Sequence, residues 1–211
     1  MKIAKQYMSD AAELLISKDE LAAQAYTEVQ FSILNNITSG SDHFILNCTQ
    51  KNCNGVVPIK DKCYQILEEQ LGWYREKPLI YFSKDAQKGG PIDVYKEFVD
   101  VYRILRVGLE FETGNISSAH RSMNKLRVGI EKGELDLAML MMPIKEMAFY
   151  LTDRISNYEE LEPYFFLQDE VPFLVFGFDA EEYSKLVQPL PKGKDGMSPR
   201  TIRKWKINND I

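Results

Sequence analysis

Glu110 and Glu112 stand two residues apart in "RVGLEFE", and Asp93 follows "GGPI" seventeen residues before the first of them. Val107, Leu109 and Phe111 alternate with Gly108, Glu110 and Glu112, so an extended segment turns three apolar groups to one face and both acids to the other. The two Cα atoms are then roughly 6.5–7 Å apart. Their carboxylates either remain two solvated glutamates, or converge on one cation, or push one pKa upward. Asp93, behind a proline and a hydrophobe, brings a third carboxylate to the end of a neighbouring strand. A hard divalent cation such as Mg²⁺ takes one or two carboxylates together with waters and phosphate oxygens, the usual chemistry of phosphodiester cleavage. Glu112 then has a separate task from Asp93 and Glu110: it takes a proton from the attacking water, and crowding by Glu110 favours its holding one.

The residues that follow supply an anion site. Asn115, Ser117 and Ser118 are strong helix caps, and Ala119, Met123, Leu126 and Ile130 continue a helical apolar stripe until Gly133 stops it. Arg121 falls in the first turns, where its charge opposes the positive end of the helix dipole. Either it is an exposed arginine on a flexible stem, or an anion relieves the conflict. An arginine so placed reaches a phosphate, or guanine O6 and N7 with two hydrogen bonds.

These residues need a scaffold, and the chain is long enough for one: 211 residues, 45% of them apolar, suit a single domain over 1–211 with a real core. The apolar pattern predicts a helix from about Ser9 to Phe31, turns through 38–55, and a helix over "KDKCYQILEEQLGWYR" with Cys63, Ile66, Leu67 and Leu71 on one side. "RVGLEFE", "ELDLAMLM" and "PFLVFGF" are strand candidates, an extended segment follows "KGGPID", and helices fall at 117–132 and about 143–153. The expectation is an α/β fold, a central mixed sheet covered by helices on both faces.

Net charge is −5, but residues 192–206 hold six Lys or Arg against one Asp, so this basic C-terminal segment, 192–211, can meet phosphates. The bland alternative is a solvated end. No run of eighteen apolar residues exists and "MKIAKQYMSD" lacks the apolar stretch of a signal peptide, so the expected location is the cytoplasm, without a membrane. Cys48, Cys53 and Cys63 read as free thiols; a zinc site would need Cys48, Cys53 and His43 without any standard spacing.

"KNCNGVVPIK", "WYREKPL", "KGGPIDVYKEF", "RVGLEFETGNISSAHRSMNKL" apart from Leu109, "YLTDR", "EELEPYF" and "PKGKDGMS" apart from Lys194 resemble the BamHI-type family of type II restriction endonucleases along almost the whole chain. The likeness is weakest over 1–47, 79–87 and the last few residues. Like that family, the sequence departs from the wider nuclease pattern of Pro-Asp and Asp/Glu-x-Lys, with Ile92 before the acid and Glu112 in place of lysine.

The resemblance implies a restriction-endonuclease-like fold and Mg²⁺ as cofactor, two ions per site with Mn²⁺ able to substitute. Asp93 and Glu110 match the principal metal ligands, Glu76 a further acid at the metals, and Glu112 the group that activates water. Asn115, Ser117 and Arg121 match major-groove contacts, Asp153 and Arg154 contacts to the outer G·C pairs, and Lys60 a residue near the DNA backbone. The implied target is GGATCC in double-stranded DNA, cut after the first G to leave 5′ four-base extensions. A palindrome suits a homodimer, here through the helices near 117–132 and 143–153, and a cognate methyltransferase is implied in the host. Glu131 and Phe166 stand where the family has an oppositely charged inter-subunit pair.

Two other readings stay open on the residues. One is a sequence-specific DNA-binding protein without catalysis. The other is a glycosidase using Glu110 and Glu112, although such pairs ordinarily flank a sugar rather than share a strand.

Overall fold

The computed structural model describes residues 1–83, 90–152 and 154–192. In chain order it contains β1 (Lys2–Met8), α1 (Asp10–Lys18), α2 (Glu20–Leu34), β2 (Ile45–Asn47), α3 (Val57–Gln65), β3 (Tyr74–Lys77) and α4 (Ile80–Ser83). Then come β4 (Ile92–Val99), β5 (Ile104–Phe111), α5 (Ile116–Glu131), β6 (Leu137–Pro143), α6 (Lys145–Tyr150), α7 (Tyr158–Leu161), β7 (Phe173–Asp179) and β8 (Glu182–Ser184).

Six strands form one mixed sheet in the order β1-β7-β6-β5-β4-β3. β5, β6 and β7 run parallel, while β4, β3 and β1 join antiparallel. β6 and β7 are buried along their whole length, as continuous apolar runs covered on both sides must be. Val107, Leu109, Phe111, Met139, Met141 and Phe176 face a core shared with α1, α2 and α3. Ile92, Ala138, Leu140 and Val175 face a second core, closed by Ala119, Met123 and Leu126 of α5. The expected mixed sheet with helices on both faces is therefore present.

Several expected elements change shape. The helix foreseen over Ser9–Phe31 is two helices, because Asp19 leaves helical geometry (φ −129°) and its carboxylate caps the second through the amides of Leu21 and Ala22. α3 begins earlier than expected, at Val57 with a proline in its first turn, and passes into a π-helical turn over Ile66–Gln70. "WYR" then leaves the helix after Gly72 (φ 71°), so that Tyr74 and Arg75 enter edge strand β3. The helix expected at 143–153 is confined to Lys145–Tyr150 and ends where Leu151 turns extended. β1, unforeseen, is an edge strand in which exposed and partly buried residues alternate. Most of the basic segment, 193–211, lies outside the described residues. Among the described residues no helix is long and apolar enough to cross a membrane, and all three cysteines are free thiols.

Candidate active site

The β4–β5 ladder runs in register from Val99–Ile104 to Val94–Leu109 and stops there. Beyond it the backbone of each strand bonds to a carboxylate of the other. The Asp93 amide donates to Glu110 Oε1 at 3.2 Å, and the Phe111 amide donates to Asp93 Oδ2 at 3.1 Å. Two acids thus occupy the place of ladder hydrogen bonds and are held together at the point where the strands part. Tyr64, buried on α3, donates its hydroxyl to the same Asp93 Oδ2 at 2.7 Å.

Lys125 of α5 completes the cluster, its ammonium 2.7 Å from Glu110 Oε1 and donating to the Pro91 carbonyl at 2.6 Å. Glu110 is only 4% exposed. Burial first, and the Asp93 charge second, push its carboxyl up to about 7 against the pull of Lys125. Glu110 is thus a raised acid, and Asp93 is the charge that crowds it.

Glu112 is buried and points elsewhere, toward the start of α5. Its Oε1 accepts from the Gly114 amide and, at 3.1 Å, from Ser118 Oγ; its Oε2 accepts from Ser122 Oγ at 2.9 Å. The helix start is capped as expected, Asn115 Oδ1 accepting from the Ser117 and Ser118 amides at 3.0 and 3.1 Å. Asn115, Ser117 and Arg121 are exposed.

One pocket of about 590 Å³ gathers most of the residues singled out: Asp93, Glu110, Glu112, Glu76, Arg121 and Lys60 all line it, with Ser118, Ser122 and Lys125. Glu76 is exposed, lies across from Asp93 in the β3–β4 register, and takes a left-handed backbone (φ 56°) that a side chain rarely adopts. The described acids do not form a cluster of three or more that could hold a metal ion; the close pair is Asp93 with Glu110, and Glu76 and Glu112 stand apart from it. Asp153 lies outside the described residues. Arg154 is exposed with φ 68°, and Ser156 donates both amide and hydroxyl to the Gly114 carbonyl, so the segment after Arg154 is tied to the entrance of α5.

Tyr64, Ser122 and Lys125 are site residues that sequence reasoning missed. Lys125 had a signal: Ser118, Ser122 and Lys125 recur at helical spacing, a polar line beside the apolar stripe of the same helix. Tyr64 had none, because only the packing of α3 under β4 brings it to Asp93.

A family model described as restriction endonuclease BamHI matches residues 1–197. The chain is 57% identical over 207 residues to the type II restriction enzyme BamHI of Bacillus amyloliquefaciens, covering 98% of this chain and 97% of that protein. It is 36% identical over 166 residues to the type II restriction enzyme OkrAI of Oceanobacter kriegii, covering 76% of this chain and 81% of the other. Among solved structures, restriction endonuclease BglII complexed with a DNA 16-mer shares the fold with TM-score 0.61 and 15% identity, over 90% of this chain and 88% of that one. With its acids at the parting of two strands and this breadth of likeness, the chain belongs to the BamHI family of restriction endonucleases and is a type II restriction enzyme.

Proposed function

We propose that the chain is a homodimeric, Mg²⁺-dependent endonuclease that recognises GGATCC in duplex DNA and cuts after the first G of each strand, leaving 5′ four-base extensions. The observation that carries the chemistry is the Asp93–Glu110 pair held by backbone amides where β4 and β5 part. Asp93 Oδ1 and Glu110 Oε2 accept no hydrogen bond from a described residue, so each acid keeps a hard oxygen for a cation. That donor set fits Mg²⁺, which takes one or two carboxylates and fills its remaining positions with water and phosphate oxygens. When bound, Mg²⁺ would neutralise charge on the scissile phosphate. Glu76, lining the same pocket, would serve a second ion, and Mn²⁺ should substitute.

The chain's own residues account for the rest. Glu112 takes the proton of the water whose oxygen attacks phosphorus, the bond from phosphorus to the 3′ oxygen breaks and that oxygen leaves, taking a proton from solvent, while Ser118, Ser122 and the Gly114 amide hold the Glu112 carboxylate in place. Arg121, Asn115 and Ser117 at the exposed start of α5, with Arg154 and Asp153, read base edges, while Lys60 meets the backbone. A duplex with two-fold symmetry is matched by two copies of the chain meeting through α5 and α6. Glu131 is paired within its own helix to Arg127 at 2.7 Å and Phe166 is 65% exposed, so that contact is apolar at Phe166 rather than an ion pair. The enzyme acts in the cytoplasm beside a methyltransferase that protects the host's own sites.

The test is digestion of a fully sequenced plasmid with Mg²⁺ and sequencing of the fragment ends. Discrete fragments beginning GATC at every GGATCC are expected. Cleavage at another sequence would reject the target, and sequence-specific binding without fragments would favour a DNA-binding protein that lacks catalysis.

A further inference from the structure

Lys125 is 8% exposed, on an α5 face whose other inward residues include Ala119, Met123 and Leu126. A lysine is almost never so buried unless its charge is paired. Its two acceptors lie on the two strands that carry the acids: the Pro91 carbonyl just before β4, and Glu110 near the end of β5. One ammonium therefore ties together the strand ends where the backbone ladder has stopped.

The contact also distinguishes the two oxygens of one carboxylate. Glu110 Oε1 meets both Lys125 and the Asp93 amide, whereas Oε2 accepts from no described residue. Two partners on one oxygen fix the rotamer and leave the other oxygen presented. Charge matters as well, because the ammonium is a cation held against the acid pair that a polyanion would otherwise meet.

We infer that Lys125 is a positioning residue of the nuclease site: it locks Glu110, joins the start of β4 to the end of β5, and offsets acid charge that DNA would otherwise meet before any metal is bound. It acts through Glu110 and Pro91 and touches no reacting atom. The inference rests on the nuclease reading above and adds a residue to it.

The test is affinity for a GGATCC duplex in EDTA at pH 8, measured for wild type, Lys125→Met and Glu110→Gln/Lys125→Met. Methionine keeps an unbranched stem without the charge. The single variant should bind up to about tenfold more weakly, the size expected for one cation removed from a partly screened pocket. The double variant removes one acid together with the cation and should return to wild-type affinity. With Mg²⁺, Lys125→Met should lower kcat more than it raises KM. Equal EDTA affinity for wild type and Lys125→Met overturns the inference, as does a double variant that binds no better than the single one. Should Lys125→Met alone fail to fold by circular dichroism, the double variant carries the test: folded with wild-type affinity it supports the inference, and unfolded it shows the lysine to serve the fold rather than the site. A wild type that neither binds nor cuts any duplex would instead reject the nuclease reading.

Discussion

Glu112 accepts hydrogen bonds from an amide and two serine hydroxyls, which is how a carboxylate is aimed rather than merely tolerated. Glu112→Gln should lower the cleavage rate by orders of magnitude while sparing the fold and duplex binding, and single-turnover cleavage beside a binding titration checks both. Ser122→Ala removes the donor on Oε2 and should slow the same step by up to about a hundredfold, since small misplacement of a reacting group costs that much. A near wild-type rate in Glu112→Gln would remove that residue from the mechanism.

Glu110 gives a second residue-scale prediction. Its folded pKa lies above the ordinary carboxyl value, so its contribution to stability is full at low pH and is lost as pH rises from about 4.5 toward about 7. A divalent cation competes with that proton. In EDTA, Tm should therefore fall more between pH 5 and pH 8 for wild type than for Glu110→Gln, and Mg²⁺ should raise the wild-type Tm more at pH 8 than at pH 5. Equal slopes in the two proteins would deny Glu110 that role. The three acids were legible in the sequence because strand alternation fixes which side chains share a face. That Glu110 carries a raised pKa was not, since it comes from burial and from the Asp93 charge, which only the folded packing supplies.

At the scale of elements, α5 lies close enough to β5 that Leu135 fills the space beside two glycines. A Cβ at Gly129 would come within 2.7 Å of Leu135 Cδ1, and one at Gly108 within 2.8 Å of the same atom. Gly129→Ala gains helix propensity of about 1 kcal/mol but forces Leu135 aside, and overpacking of that kind costs about 1–3 kcal/mol. Net destabilisation by urea titration is expected, with a loss of cleavage rate beyond it because the displaced helix carries Ser122 and Lys125. Unchanged stability would show that Leu135 repacks freely. β5, α5, β6 and β7 were legible from sequence, since each has one dominant period and clear stops. β1 and β3 were not: both are edge strands with exposed, charged residues, and their pairing partners rather than their own pattern make them strands. The break at Asp19 was hidden because the apolar positions on either side continue one stripe, while the cap belongs to a single carboxylate.

For the whole molecule, the main question is how an acidic chain holds a polyanion. The chain carries −5 in total, yet residues 192–206 alone carry +5. The root of that segment is anchored. The Gly55 amide donates to the Leu190 carbonyl at 2.9 Å, the Leu190 amide donates to Asn54 Oδ1 at 3.1 Å, and a Cβ at Gly55 would collide with the Pro191 carbonyl. The anchor immediately precedes α3, whose Lys60 lines the pocket, so the described chain ends, at Lys192, next to the residues that lead into that helix. Deleting residues 195–211 keeps the anchor and removes four cations and two acids. Each phosphate that the segment no longer neutralises should flatten log K against log salt by roughly 0.9. We expect the truncated protein to fold, to dimerise and to cut the same sequence, but to bind duplex more weakly with a shallower salt slope. Titrations of full-length and truncated protein across a range of salt concentrations decide the matter. Identical slopes would make the segment a solubilising end, and loss of folding would mean that Trp205 or its neighbours belong to the core.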